Sequence, residues 1–277
     1  MSVRRLATSV AIAAAASALA GCGGGAPLLH PARTLPTGDI RVASGVSANI
    51  AVGSLGEDLR TARDISAKDP QAPGPPGSNA QYARGALVAA AIAPGLAPFV
   101  AARVGIGGEA EGGITYTGRM ARIDMRRSFE VGSGMSLSIG AGGSGAFYGR
   151  QQGTTLPNVD LSKLRGYGAD VPFLFGWESS GGIFRAWTGL RVGFEHDAIE
   201  SVSTEPKGTA LGPDPVTLAA TRYYGGGLIG FAAGFRHIHV ALELGVQYAV
   251  VEGQYNQTNV KIRGLTLAPA SAVWWSF

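Results

Sequence analysis

Two clusters of histidine and carboxylate residues are the best candidates for chemistry in this chain. In "HIHVALELGVQYAV", His237 and His239 lie two residues apart, so on a β-strand both rings point to one face, a spacing that metal sites use. Glu243 could supply a third ligand, but it lies about 13 Å further along such a strand. The two histidines are therefore a weak metal candidate, and we favour hydrogen bonding of both rings to arginine and glutamate inside the protein. We predict no metal and no cofactor.

The second cluster, Glu195, His196 and Asp197, contains the residue types of general acid and base catalysis. A serine hydrolase would also need a nucleophile beside its base, and no His-x-Ser triplet occurs in the chain. The glycine-rich runs "GIGGEAEGG" and "GAGGSG" lack the Lys-Ser/Thr ending of a phosphate-binding loop. We predict that the protein is not an enzyme and leave a hydrolase open as an alternative.

Charged residues also recur among Gly, Ala, Ser and Thr on one face of stretches that alternate with period two. Mixed charges among small residues suit a narrow lumen, where buried charges must pair. All four lysines fall in predicted loops, whereas a solvated strand face would carry several. The charges predicted to face the lumen are Arg103, Arg122, Asp124, Arg126, Arg185, Arg191, Glu195 and Glu243.

The elements that carry these residues are predicted to be ten strands. Connections are short after even strands and long after odd ones, as in outer-membrane barrels, except for a short turn near Gly118. The polar stretch 54–80 is predicted to be loop, and 80–95 a short helix ending at Pro94 and Gly95. The predicted strands are 39–53, 97–107, 109–117, 119–130, 134–148, 168–178, 182–195, 217–236, 237–250 and 264–277.

The fold class that follows is all-β: an antiparallel transmembrane β-barrel of about ten strands, with eight to twelve as alternatives. Its aliphatic face, with aromatic residues toward the strand ends, is predicted to point outward to lipid. The alternative architecture is a soluble, lipocalin-like lipoprotein with the same face turned inward. The absence of lysine from the polar strand faces favours the membrane barrel.

The N-terminus carries export features. Arg4 and Arg5 precede an uncharged, Ala-rich run that is too short to span a bilayer. The tetrad Leu19, Ala20, Gly21 and Cys22 resembles the lipobox of bacterial lipoproteins. The resemblance implies that residues 1–21 are a signal peptide and that Cys22, the only cysteine, is lipidated. Palmitate is expected among its acyl chains. Residues 22–38, rich in Gly and Pro, are predicted to be a flexible tether, and residues 39–277 the barrel.

The C-terminus resembles the assembly signal of outer-membrane β-barrel proteins. Val273, Trp275 and Phe277 occupy its alternate hydrophobic positions, although Ala272 and Ala270 replace the usual glycine and polar residue. The two ends together resemble a lipid-anchored barrel of the Gram-negative outer membrane. The resemblance implies outer-membrane lipid, the barrel-insertion machinery and the lipoprotein-sorting machinery as partners.

The function expected from these features is a structural, adhesive or binding role carried by external loops, chiefly 54–95 and 196–216. The expected lumen is mostly filled by side chains, so a small pore is an alternative. Ten-stranded outer-membrane proteases are similar in strand number, but their paired-Asp and Asp-x-His signatures are missing. Removing the signal leaves a net charge of about +2, which implies no nucleic-acid partner. We predict a monomer.

Overall fold

Alternating apolar and small polar residues form ten strands in a computed structural model that describes residues 25–68, 80–146, 156, 164–202, 216–256 and 258–277. The strands are β1 (Ile40–Val52), β2 (Gly95–Gly107), β3 (Ala110–Tyr116), β4 (Met120–Gly132), β5 (Met135–Ala146), β6 (Arg165–Glu178), β7 (Phe184–Val202), β8 (Val216–Phe235), β9 (Ile238–Tyr255) and β10 (Thr258–Ser276).

Each strand pairs antiparallel with the next, and β1 closes the barrel against β10, with Arg41 opposite Ser276. We call the end that carries the β2–β3, β4–β5, β6–β7 and β8–β9 turns the short-turn rim, and the opposite end the loop rim. Both the start of β1 and the end of β10 lie at the short-turn rim. A closed antiparallel barrel of ten strands confirms the predicted fold class.

The outer surface of the barrel carries an apolar belt. Along β9, every second side chain from Ile238 to Tyr248 is exposed and apolar, and the next exposed position with a charge is Glu252. Ten residues at about 3.4 Å each, on strands tilted by about 40°, give a belt about 26 Å tall. That height matches the apolar band of transmembrane barrels.

Aromatic residues border this belt at both ends. Past the border on the loop side, the outward positions become polar, as at His196, Thr221 and Glu252. The border consists of Tyr167, Phe194, Tyr223 and Tyr248 toward the loop rim, and of Trp177, Phe184, Phe235, Trp275 and Phe277 at the short-turn rim.

Strands β7 to β10 continue beyond the belt. They are 18 to 20 residues long, whereas β1, β2 and β4 have 13. The long loop predicted between the strands 237–250 and 264–277 is therefore wrong, since β9 ends at Tyr255 and β10 begins at Thr258. The predicted loop over 196–216 is wrong for its first residues, which belong to β7 as far as Val202. The sequence prediction ended these strands where the apolar alternation ends, but the backbone pairing continues through the polar residues.

Two helices lie in the β1–β2 connection: α1 (Ser54–Lys68) and α2 (Ala80–Leu87), which continues as a π-helical turn (Val88–Ile92). The predicted helix over 80–95 is present, but the predicted loop over 54–80 contains α1 instead. The helix α1 buries Leu55, Leu59 and Ala62, which recur at helical spacing and pack inside the barrel wall. No helix among the described residues is long and apolar enough to cross a membrane.

Candidate functional site

The barrel lumen is the candidate functional site, because a segment of the chain that precedes β1 lies inside it. We call residues 25–38 the N-terminal segment. Its C-terminal end lies at the short-turn rim, where the Gly38 N–H donates to the Gly105 carbonyl. Its N-terminal end lies deeper in the lumen, where the Gly25 carbonyl accepts a hydrogen bond from Ser47. Leu28, Leu29 and His30 are buried. The predicted flexible tether over 22–38 is therefore wrong for these residues, since they pack against the inner wall.

Glu243 on β9 holds the middle of the N-terminal segment. Its carboxylate accepts hydrogen bonds from the backbone N–H groups of Leu28, at 3.0 Å, and Leu29, at 2.9 Å. A third hydrogen bond, 3.0 Å long, comes from the Trp187 indole. One buried carboxylate thus joins the segment to β7 and β9.

Arginine side chains hold the carbonyl groups of the same segment. Arg126 donates hydrogen bonds to the carbonyls of Pro31, Ala32 and Arg33, and Arg191 donates one to Ala26 at 2.7 Å. These hydrogen bonds satisfy backbone groups that have no strand partner, so the segment can be buried without regular secondary structure.

Carboxylates and hydroxyl groups bind the part of the segment near the short-turn rim. Glu111 accepts the Leu35 N–H at 2.8 Å, and Ser128 pairs with the Thr34 hydroxyl at 2.7 Å. Wall side chains therefore bind both N–H and carbonyl groups of the segment along most of its length.

A chain of buried ion pairs surrounds the segment. Arg103 pairs with Glu111 and Asp124, and Arg126 pairs with Glu111. In the same network Arg122 pairs with Asp124 and, at 2.8 Å, with Asp170, which also pairs with Arg191 at 2.7 Å. Each of these charges has at least one opposite partner, as low-dielectric burial requires.

At the loop rim, the helices and the π-helical turn close the barrel. The wall binds the π-helical turn through its carbonyls: Asn49 donates to Ile92 at 2.6 Å, and Arg119 donates to Ala90 at 3.0 Å. Between the helices, Arg84 makes a two-bond pair with Asp58, and this hydrogen bonding raises the pKa of Arg84.

A cavity of about 60 Å³ remains between the N-terminal segment and the π-helical turn. Its lining includes Ala26, Ile92, Arg191, Glu195 and Tyr224. The volume accommodates a few water molecules. The lumen therefore contains protein from the short-turn rim to the loop rim, and this gap in the filling is small.

The structure places all eight predicted lumen charges on the inner side of the wall. Glu195 pairs with Arg222 at 3.3 Å, and Arg185 pairs with Glu178 at 2.9 Å. Glu111, Asp170 and Arg222 are further members that the sequence prediction did not include. Their signal was available, because each lies on the polar face of an alternating strand.

The two histidine clusters do not form catalytic or metal geometry. His237 contacts the Ser276 carbonyl and His239 the Gly182 carbonyl, and the His237 side chain is exposed. The predicted hydrogen bonding of both rings to arginine and glutamate inside the protein is therefore wrong, because nearby backbone carbonyls accept these hydrogen bonds instead. In the second cluster the Glu195 and Asp197 side chains face the lumen, whereas His196 lies against the outward-facing Tyr167. Within the part of the chain that the structure describes, no group of three or more His, Cys, Asp or Glu residues could hold a metal ion.

The C-terminal strand orients its residues alternately. Val273, Trp275 and Phe277 are exposed on the outer surface, whereas Trp274 is 1% exposed inside the lumen. The lipobox residues Leu19, Ala20, Gly21 and Cys22 lie outside the described residues.

Comparison with known proteins gives structural similarity only. No family model and no curated protein sequence matches the chain. Among solved structures, Neisserial surface protein A is 11% identical, with a TM-score of 0.33 over 87% of this chain and 99% of that chain. The outer-membrane protease OmpT of Escherichia coli is 8% identical, with a TM-score of 0.36 over 86% and 95% of the two chains. The attachment invasion locus protein Ail of Yersinia pestis is 7% identical, with a TM-score of 0.26 over 87% and 100%.

Proposed function

We propose that the protein is an outer-membrane barrel with a closed lumen and a structural or binding role at its loop rim. The membrane location is supported by the outward apolar belt and its two aromatic borders. The loop rim carries the extended parts of β7 to β10 and the helices, and these present polar residues beyond the belt. This is the part of the molecule available to external partners.

The observation that carries the proposal is the filled lumen. The N-terminal segment occupies the half toward the short-turn rim, and α1, α2 and the π-helical turn occupy the other half. Both fillings are held by hydrogen bonds from wall residues such as Glu243, Arg126 and Asn49. A ten-stranded wall leaves little room beyond its own side chains, and here that room contains backbone as well.

Conductance in planar bilayers tests the closed lumen. The wild-type protein is expected to give no steps of open-channel current. A variant that lacks residues 25–36 and carries a short Gly-Ser linker in place of residues 54–92 removes both fillings and is expected to conduct. Regular, long-lived steps from the folded wild-type protein would contradict the proposal and support the small pore.

We further propose that Cys22 is lipidated and anchors the protein to the membrane. The support is the lipobox-like tetrad before the only cysteine. Metabolic labelling with palmitate should label the wild-type protein and not the Cys22→Ala variant. Equal labelling of both proteins would overturn the anchor while leaving the barrel proposal intact.

A further inference from the structure

Arg41 is a buried cation without an anionic partner. Its side chain lies on the inner face of β1 and is 5% exposed, and its Nη1 atom has no hydrogen-bond partner. Among the described residues, no carboxylate lies within salt-bridge distance of Arg41. Its Nε donates to Ser276 at 3.3 Å, and its Cζ lies 4.8 Å from the centre of the Trp274 ring. Where water is excluded, an aromatic ring stabilises a guanidinium group less than an anionic partner would.

A small, largely enclosed cavity adjoins Arg41. The centre of a water-sized sphere can occupy about 10 Å³ of it, so one monatomic ion somewhat larger than water fits. Its polar lining comes from Arg41, Arg103 and Thr115, and its remaining walls include Leu28, Leu29 and Phe99. Two guanidinium groups and a hydroxyl therefore line a small space with no carboxylate in its lining.

The surrounding charges favour an anion in this cavity. Arg41 and the arginines of the ion-pair network, Arg103, Arg122, Arg126 and Arg191, are five cations. The nearby Arg185 is already balanced by its pair with Glu178. The buried carboxylates beside them are Glu111, Asp124, Asp170 and Glu243. The described part of this region thus carries one positive charge more than it has negative charges. One monovalent anion would balance it.

We propose that the cavity beside Arg41 and Thr115 binds a small monovalent anion of the chloride class. Arg41 supplies a free N–H donor and the unpaired charge, and Thr115 supplies a hydroxyl donor. The cavity is too small for phosphate or a carboxylic acid, which have several heavy atoms.

The anion and the N-terminal segment should stabilise one another. Leu28 and Leu29 form part of the cavity wall, so withdrawal of this part of the segment opens the site and releases the anion. An anion that binds the closed lumen and not the opened one raises the ratio of closed to open protein as its concentration rises above the dissociation constant. Amide exchange at residues 28–35 should therefore slow by about tenfold at a chloride concentration ten times the dissociation constant.

Crystals of the wild-type protein grown in bromide provide the direct test. Anomalous scattering should show one bromide ion in the cavity, within contact distance of Arg41 and Thr115. An ordered cavity without an anomalous peak, or with water alone, would overturn the proposal. The protein is produced without lipid on Cys22, so that no anchor pulls on the N-terminal segment, and the result does not depend on whether the barrel conducts.

Amide exchange in solution tests the same site. Chloride and gluconate are compared at one ionic strength, since gluconate is too large for the cavity. The wild-type protein should show slower exchange in chloride.

Two variants test the residues of the site. Thr115→Val preserves the size of the side chain and should weaken the chloride effect, and Arg41→Gln should abolish it. Arg127→Gln, at an exposed position of β4, controls for general charge effects and should behave as wild type. Equal exchange of the wild-type protein in both salts would contradict the site.

Discussion

At the scale of single residues, Glu243 has the largest expected effect on stability. Glu243→Ala would leave three buried N–H groups without an acceptor: those of Leu28, Leu29 and the Trp187 indole. We expect a loss of about 2–5 kcal/mol, because each unmet buried donor is costly. Urea unfolding of the barrel in lipid vesicles measures this loss. Glu252→Gln, which alters only the exposed pair with Lys261, is the control and should change stability by less than about 1 kcal/mol.

Gly230 is expected to tolerate no side chain, for a related reason. A Cβ atom there would lie 2.0 Å from the Trp187 ring, whose indole must cross Gly230 to reach Glu243. Gly230→Ala should displace Trp187, weaken its hydrogen bond and shift its fluorescence toward that of an indole in water. Gly143→Ala is the matched control, because a Cβ at this strand position meets no atom within 4 Å. An unchanged emission spectrum in Gly230→Ala would contradict the packing described here.

At the scale of elements, the position of the N-terminal segment can be tested by thiol labelling. In a Cys22→Ala background, which contains no other cysteine, Ala32→Cys places a thiol at a fully buried position and Thr37→Cys at an exposed one. A maleimide reagent should label position 37 quickly and position 32 only after unfolding. Similar fast labelling at both positions would show that the segment does not lie in the lumen.

The sequence predicted the strands well because their information is local. Along β9, Ile238, Val240 and Leu242 alternate with inward residues, and this period alone identifies a strand with one apolar face. The helix α1 had a local signal too, in Leu55, Leu59 and Ala62, but the prediction gave more weight to the polar, proline-rich residues that follow.

The N-terminal segment had no such signal. Its hydrogen bonds join residues as far apart as Leu28 and Glu243, and its Gly and Pro content is typical of a linker. Only the closed barrel brings these partners together. The lumen charges could therefore be identified from the sequence, whereas the backbone groups that they bind could not.

At the scale of the whole molecule, the lumen-bound segment and a lipid anchor on Cys22 make conflicting demands. Gly25 contacts Ser47, which lies seven residues along β1 from Ile40. That is about 24 Å along the strand and, at a tilt of about 40°, about 18 Å above the short-turn rim. Cys22 is only three residues before Gly25, and three residues reach at most about 11 Å. Lipid at the short-turn rim is therefore out of reach of Cys22 while Gly25 remains in its lumen position.

This conflict predicts that anchoring at the short-turn rim withdraws the N-terminal segment from the lumen. Ala32→Cys should then react faster with maleimide when Cys22 is present and lipidated than in the Cys22→Ala background, where the segment remains bound. Thr37→Cys, exposed in either state, should react equally in both backgrounds. Mass spectrometry of the lipidated N-terminal peptide confirms that the first sample carries the anchor. If Ala32→Cys stays protected in a fully lipidated protein, the acyl chains do not lie in the leaflet at the short-turn rim. The chain before Gly25 must then leave the lumen by another route, because the segment itself has not moved.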